Sequence, residues 1–161
     1  MLLFCLLVYS GVVIQAYRPQ KHTEYDTFRS LIPRDAPLDK NKHIALLLYN
    51  PQGCMPCNYI LTNLFANPAY AALFGDNSFV VFPSVRPSEL QDYDRLFKTY
   101  GKVSVRLIND QKLYNLLLQK DREILKGKPK WFGLNTRSRE CFCFNLREVY
   151  IADSIACYFN N

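Results

Sequence analysis

Histidine is scarce in this 161-residue chain, which has only His22 and His43, and neither lies in a recognised catalytic motif. We expect His43, at the edge of a predicted strand, to be structural. The sequence also has no carboxylate pair of the kind used in general acid–base catalysis, no phosphate-binding loop and no nucleophile elbow. Because these motifs are absent, the sequence does not indicate a common type of hydrolase or a nucleotide-binding protein. Cysteine is the remaining residue type whose pattern indicates a specific chemistry.

Long apolar runs are also lacking. The longest, residues 1–16, carries no charged side chain and ends at Ala16, whereas a membrane span needs about 20 apolar residues. We therefore predict a signal peptide over residues 1–16, cleaved before Tyr17, and no stable membrane span in the mature chain. A buried N-terminal strand or an uncleaved anchor is the alternative. The prediction implies a protein that is secreted or resides in the endoplasmic reticulum lumen.

The composition indicates one globular domain with an aromatic core. Hydrophobic residues make up 49% of the chain and charged residues 21%, and there are eleven Tyr and eleven Phe. Residues 17–42 are polar, contain three prolines and lack periodicity, so we predict an N-terminal arm there. The domain then covers residues 43–161, with a divergent C-terminal part from about residue 111. Its oligomeric state is left open.

The positive charge does not indicate a nucleic-acid partner. The net charge is +6, and much of the excess lies between Lys120 and Arg147. Asp121, Glu123 and Glu140 interrupt this stretch, and no nucleic-acid-binding motif accompanies it. We interpret it as a solvated basic face. Contact with an acidic partner or an anionic surface is the alternative.

Strand and helix patterns alternate along the domain. Apolar and β-branched runs predict strands, and helical spacing bounded by Asn67-Pro68, Gly75 and Gly101 predicts helices. The first helix is predicted after Cys54, with Tyr59, Ile60, Leu61, Leu64 and Phe65 at helical spacing, and it ends at Asn67-Pro68. It follows strand 44–49 and precedes a short helix 69–75, strand 78–85, a helix from a capping box at 88–91 to residue 100, and strand 103–108. This order is typical of an α/β fold with parallel strands. Beyond it, 111–126 has mostly helical spacing, with a strand at 116–119 as the alternative, and a strand and a helix are predicted within 141–159.

A C-x-x-C pair, Cys54-Met55-Pro56-Cys57, lies where the first strand gives way to the first helix. A sulfur at a helix N-terminus is favoured as the thiolate, because exposed N–H groups and the helix dipole stabilise an anion. We assign Cys54 as the attacking thiol and Cys57 as the resolving thiol. Met55 and Pro56 add no charge and no donor, so we expect a dithiol less oxidising than one that contains an intervening histidine.

Two other interpretations of the cysteines remain. Cys54 and Cys57 could form a permanent structural disulfide, or they could bind zinc together with Cys141 and Cys143. The distant C-x-C spacing and the oxidising compartment both weigh against zinc. Signal cleavage would remove Cys5 and leave five cysteines, and the pairing of Cys141, Cys143 and Cys157 cannot be read from sequence.

Residues 43–108 resemble the thioredoxin-like superfamily, especially its secretory and periplasmic branch related to protein disulfide isomerases. The resemblance lies in IALLLY, GCMPC, NYILTNLFANPAYAALFGDNSFVVFPSV and DYDRLFKTYGKVSVRLIND. It implies a three-layer α/β fold with a central mixed sheet. It also implies a protein-disulfide oxidoreductase or isomerase that acts on cysteine-containing proteins through Cys54 and Cys57, with no cofactor.

The chain departs from this family at two points. Gly53 replaces the aromatic residue that usually precedes the first cysteine, and KVSVRL lacks the proline that usually starts the strand facing the dithiol. The alternative function is therefore a redox-inactive thioredoxin-like binding or chaperone module with a structural disulfide. The tail after Asp110 carries no resemblance, and an origin as an altered version of a longer protein is a third interpretation.

Overall fold

The computed structural model describes residues 20–22, 25–51, 55–119, 130–145 and 151–160. The predicted signal peptide at residues 1–16 lies outside these ranges. The strands are β1 Gln20–His22, β2 Ile44–Leu48, β3 Ser78–Phe82, β4 Val105–Asn109, β5 Lys130–Asn135 and β6 Glu140–Asn145. The helices are α1 Tyr25–Ser30, α2 Met55–Ala66, α3 Pro68–Phe74, α4 Pro87–Tyr100, α5 Gln111–Gln119 and α6 Ile151–Phe159.

The six strands form one mixed sheet in the order β1-β6-β5-β2-β3-β4. Strands β2, β3 and β4 are mutually parallel, with Leu46 opposite Phe79 and Phe79 opposite Arg106. On its other side β2 pairs antiparallel with β5, where Leu48 lies opposite Lys130. Strands β6 and β1 extend the sheet from β5 in antiparallel pairs. Strand β2 therefore lies inside the sheet and is bonded on both edges, which suits its fully buried IALLL sequence.

Helices cover both faces of this sheet. The face that carries Ala45, Leu47 and Tyr49 packs against α2, α3, α4 and α6, through residues such as Leu61 and Phe159. The opposite face, with Ile44, Leu46 and Leu48, packs against α1 and α5. We call these the aromatic face and the aliphatic face. The result is an α/β fold in three layers.

The predicted alternation of strands and helices is confirmed from β2 to β4, including the parallel pairing, although several boundaries differ. Strand β3 ends at Phe82 and not at residue 85, because Pro83 follows and cannot donate a ladder hydrogen bond. The capping box predicted at residues 88–91 is wrong. Helix α4 begins at Pro87, and Glu89 accepts from the backbone N–H of Arg86 and from its guanidinium.

Other elements were not expected or were left undecided. Within the predicted arm, β1 pairs with β6, and α1 packs its Phe28 against the sheet. Strand β5 was not predicted at all. Residues 111–119 form a helix, so the alternative strand at 116–119 is wrong. The strand and the helix predicted within 141–159 are present as β6 and α6.

Among the described residues, none of the helices combines the length and the apolar character needed to cross a bilayer.

Candidate functional site at the carboxyl end of β2

The dithiol lies in the connection between β2 and α2. Cys54 lies outside the described residues, and it precedes the first residue of α2, Met55, in the sequence. Cys57 is the third residue of α2, and its side chain also lies outside the described part of the structure. The strand and the helix that were predicted on either side of the C-x-x-C pair are therefore both present. Pro51 is the last described residue before Cys54.

The start of α2 is an electrostatic environment that favours an anion. The helix has twelve residues and no acidic residue in its first turn. The first N–H groups of a helix have no partner within the helix, and its dipole places a partial positive charge there. The helix also follows the carboxyl end of a central parallel strand, which is where α/β sheets commonly bind and transform ligands. An ionised thiol is stabilised at such a position.

A buried tyrosine marks the end of β2. Tyr49 is buried, and its backbone N–H donates to Val81 O at 3.0 Å. Its ring lies edge-on to the rings of Phe82, Tyr93 and Phe97, with centroids 5.4, 5.2 and 6.4 Å away. Its hydroxyl donates to Oδ1 of Asn58 in α2. Burial raises the pKa of Tyr49, so the hydroxyl stays protonated and acts as a donor.

Two polar residues of this region, Tyr49 and Asn58, were not predicted to belong to the site. Tyr49 was grouped with the apolar strand, and Asn58 was not considered at all. The available signal was the spacing of Asn58, four residues after Cys54, which is one turn along a helix. Tyr59 was expected in the apolar stripe of α2, but its side chain is 70% exposed, whereas Leu61, Leu64 and Phe65 of that stripe are buried.

The C-terminal cysteines belong to a different part of the sheet. Cys141 and Cys143 are buried on the aliphatic face of β6, where Cys143 lies opposite Phe132 of β5. Phe132 in turn lies opposite Leu46, in the middle of β2, so Cys143 is level with the centre of β2 and two strands away from it. Helix α2 packs on the aromatic face. The sheet thus separates Cys141 and Cys143 from the helix that carries Cys57, which argues against a zinc site made of all four cysteines.

A buried lysine accompanies Cys143. Lys130 begins β5 opposite Leu48 and is only 5% exposed. Burial lowers the pKa of Lys130, and the neighbouring Cys143 acts in the opposite direction. Burial raises the pKa of the Cys143 thiol to about 11, against a smaller opposite effect of Lys130. Cys143 is therefore a thiol at neutral pH and a weak nucleophile. Among the described residues, no three His, Cys, Asp or Glu side chains form a group that could hold a metal ion.

The two histidines lie in other parts of the sheet than the carboxyl end of β2. His43 precedes β2 at its amino end, and its Nδ1 accepts from the Thr136 backbone N–H at 3.2 Å. Its ring lies 5.0 Å from that of Phe159. Burial lowers the pKa of His43, and the positive charge of Arg137 adds to this effect. The structural role expected for His43 agrees with this position. The backbone of His22 pairs with Cys141 in the sheet.

Trp131 has a packing role. It is fully buried on the aromatic face, between Phe74 and Phe144. Comparisons with protein-family models, with curated proteins and with solved structures give no match for this chain.

Proposed function

We propose that the chain is a thioredoxin-like thiol–disulfide oxidoreductase of the secretory pathway, with Cys54 and Cys57 as its dithiol. One observation carries the proposal: α2 begins immediately after Cys54, contains Cys57 in its first turn, and follows the central parallel strand β2. The secretory location rests on the apolar residues 1–16. The substrates are other proteins that contain cysteine pairs.

The sheet topology supports the thioredoxin-like assignment. A strand that leads into a C-x-x-C helix, lies between a parallel and an antiparallel neighbour, and is covered by helices on both faces suits that family. The segment KVSVRL, which lacks the proline usual in that family, leads into β4, and β4 lies at the edge of the sheet and is separated from β2 by β3. The antiparallel neighbour of β2 is β5, and Pro129 immediately precedes it in the sequence. Pro129 itself lies outside the described residues.

The chemistry proceeds in two exchanges. The Cys54 thiolate attacks one sulfur of a substrate disulfide, forms a mixed disulfide and releases the other substrate sulfur as a thiolate. Cys57 then loses its proton and attacks the Cys54 sulfur, which releases the second substrate thiolate. The dithiol has become a disulfide and has given two electrons to the substrate. The reverse sequence oxidises a substrate dithiol, and the relative reduction potentials decide the direction.

The alternative is a redox-inactive binding or chaperone module in which Cys54 and Cys57 form a structural disulfide. The exposed Tyr59, two residues beyond Cys57, favours this alternative because an aromatic ring open to solvent suits contact with apolar segments of another chain.

The test is the reduction potential of the mature protein, determined by equilibration with glutathione buffers and detected by alkylation and mass spectrometry. Cys157→Ser serves as the background, because Cys157 is exposed on α6 and would contribute its own thiol. An exchange catalyst has a potential between about −120 and −270 mV. A potential below about −300 mV indicates a structural disulfide.

A trapping experiment complements the potential. The variant Cys57→Ser lacks the resolving thiol and accumulates mixed disulfides with substrates. The double variant Cys54→Ser/Cys57→Ser is the matched control and accumulates none. Failure of Cys57→Ser to trap any partner, together with a low potential, would leave the binding module as the function.

A further inference from the structure

Two thiols are buried on the aliphatic face of β6. Cys141 and Cys143 are 0% and 8% exposed, and they lie opposite Leu134 and Phe132 of β5. A thiol in apolar surroundings stays protonated and reacts slowly. The low reactivity of these two thiols therefore depends on the elements that cover the aliphatic face at β6.

These elements belong to the N-terminal segment, residues 20–22 and 25–32, which we call the cover. Strand β1 pairs with β6 at the level of both cysteines. Helix α1 buries Phe28 completely, and the Phe28 ring lies 5.2 Å from that of Phe132, the residue opposite Cys143. Displacement of the cover would therefore expose the face of β6 that carries the two thiols.

The cover consists of short elements. Strand β1 has three residues and lies at the edge of the sheet, and α1 has six residues, whereas an isolated helix needs roughly 12–15 residues to be stable in water. The ion pair between Asp26 of α1 and Arg139 joins side chains that are 75% and 66% exposed, so it contributes little. The buried side chains of Phe28 and Ile32 are the apolar anchors of the cover. A segment held in this way opens locally more often than the whole domain unfolds.

A positive charge distinguishes Cys143 from Cys141. Lys130 begins β5 on the same face, two residues before Phe132, whereas Cys141 lies farther along the pair of strands. Burial raises the pKa of the Cys143 thiol, and the charge of Lys130 lowers it. Opening of the cover hydrates the thiol and reduces the effect of burial, but β5 and β6 stay paired, so Lys130 stays close. The opened state therefore favours a thiolate at Cys143.

We propose that Cys143 is a latent modification site for small disulfides such as glutathione disulfide, which reach it when the cover opens, and that the modified residue holds the cover open. This inference goes beyond the exchange reaction proposed above and does not involve Cys54 or Cys57. It couples the redox state of the surroundings to the position of the N-terminal segment.

The chemistry is a single thiol–disulfide exchange. The Cys143 thiol loses its proton to solvent, and the thiolate attacks one sulfur of glutathione disulfide. A mixed disulfide forms, the sulfur–sulfur bond of the reagent breaks, and one glutathione leaves as a thiolate, so no other oxidant is needed. The attached glutathione carries charged groups, which cannot be buried beneath α1 without a large cost in free energy. A reducing thiol reverses the modification and allows the cover to close.

The test measures the rate at which glutathione disulfide modifies the mature protein. Serine replaces the three cysteines of the mature chain that lie outside β6, which are Cys54, Cys57 and Cys157. Peptide mapping by mass spectrometry should then find glutathione on Cys143, and Lys130→Met should slow the reaction. Modification of Cys141 alone, at a rate that Lys130→Met leaves unchanged, would overturn the assignment.

Two core variants separate opening of the cover from global unfolding. Phe28→Ala removes an anchor of the cover and should accelerate modification about a hundredfold, the equivalent of about 3 kcal/mol. Leu61→Ala, the matched control, truncates a fully buried side chain on the aromatic face and should leave the rate unchanged. Urea denaturation monitored by the fluorescence of Trp131, the single tryptophan, gives the global stability of both variants. Equal acceleration in the two variants would mean that the thiol reacts through global unfolding, and it would overturn the inference.

Milder changes in the cover keep the test decisive if Phe28→Ala does not fold. Phe28→Leu should give a smaller acceleration in the same direction. Asp26→Asn breaks the exposed ion pair with Arg139 and should accelerate modification at most about fivefold. No acceleration in Phe28→Leu would contradict the proposed opening of the cover.

Trypsin tests whether the modified residue holds the cover open. Cleavage after Arg29, within α1, should be faster in the glutathione-modified protein than in the reduced protein, and dithiothreitol should restore the resistance. Equal cleavage of the two forms would show that the cover closes over the modified residue, which contradicts the inference.

Discussion

The two faces of the sheet differ in what they bury. The aromatic face packs rings against one another, including those of Tyr49, Trp131 and Phe159, and it carries the helix that contains Cys57. The aliphatic face is built mainly from Leu, Ile and Val side chains, and it also encloses Cys141 and Cys143. Both faces are well packed, so packing alone does not distinguish a reactive cysteine from an inert one.

If the proposed function is right, the difference between the faces means that thiol reactivity in this fold depends on position relative to the helix dipole and to solvent. Cys143 lies within the sheet, and burial raises its pKa to about 11. Cys57 is the third residue of α2, and Cys54 directly precedes this helix, whose dipole places a partial positive charge at its start. Disulfide exchange is therefore expected at the carboxyl end of β2, beside the aromatic face. The aliphatic face contributes to the stability of the fold.

The largest difference should appear when serine replaces either Cys54, in the β2–α2 connection, or Cys143, within the sheet. Cys54→Ser should reduce disulfide exchange to the uncatalysed rate, because the attacking sulfur is gone. Cys143→Ser should retain exchange, since that thiol is protonated and buried. Turnover of a disulfide-linked peptide in glutathione buffer measures both variants. Comparable loss in the two, with both still folded by circular dichroism, would contradict the assignment of chemistry to the β2–α2 connection.

The next largest effect is the loss of unfolding free energy when a buried side chain is truncated on each face of the sheet. Trp131→Ala removes a fully buried indole and should destabilise the fold by about 3–5 kcal/mol. Cys143→Ala removes only a sulfur atom from the aliphatic face and should cost no more than about 1 kcal/mol, the effect of deleting one small buried group. Urea denaturation monitored by circular dichroism gives both values. Equal losses of unfolding free energy would show that the fold does not depend more on the aromatic face than on the aliphatic face.

A smaller effect should come from adding a methyl group on the aromatic face. A Cβ at Gly133 would lie 2.3 Å from the Trp131 ring and 2.5 Å from the Phe159 ring. Gly133→Ala should therefore cost about 1–3 kcal/mol, because the rings must move within a packed core. Thermal unfolding checks the value. The double variant Gly133→Ala/Phe159→Leu should recover part of the loss, and a lack of coupling between the two changes would refute this explanation.

The smallest effect should appear on acidification. His43 has a folded-state pKa below its ordinary value of 6.5, so the unfolded chain binds the extra proton more readily. Its contribution is fully present above about pH 6.5 and is lost as the pH falls toward the folded-state pKa, by at most about 1.4 kcal/mol per pH unit. Urea denaturation at pH 7.5 and pH 5.5 measures this loss. His43→Asn keeps an acceptor for Thr136 and should lower the pH dependence, whereas an unchanged dependence would assign it to other groups.

The sequence predicted the part of the fold that local patterns control. The strands β2, β3 and β4 and the helices between them follow from apolar runs, helical spacing and turn residues. Strand β5 was missed because Gly133 interrupts its short apolar run and because its pairing partner β2 is more than 80 residues away in the chain. Residues 20–30 were similarly interpreted as an arm, since their order depends on contacts with β6 and with the sheet.

The sequence likewise predicted only part of the candidate site. The positions of Cys54 and Cys57 between a strand and a helix follow from the motif and its flanking patterns. The contact between Tyr49 and Asn58 depends on how α2 lies against the end of β2, and no pattern within either segment encodes that angle. The pairing of β2 with β5 could not be predicted either, because the order of strands in a sheet cannot be read from their order in the chain.

The place of β2 between β3 and β5 has a consequence for biosynthesis. The edge of β2 toward β3 can be covered once residue 82 has been made, but its other edge has no partner until residues 130–135 emerge from the ribosome. A nascent chain therefore carries an apolar strand with an open edge through the synthesis of nearly fifty further residues. Open apolar edges pair readily with other chains. Expression of this protein should consequently depend more on chaperone supply and translation rate than the stability of its finished core would indicate.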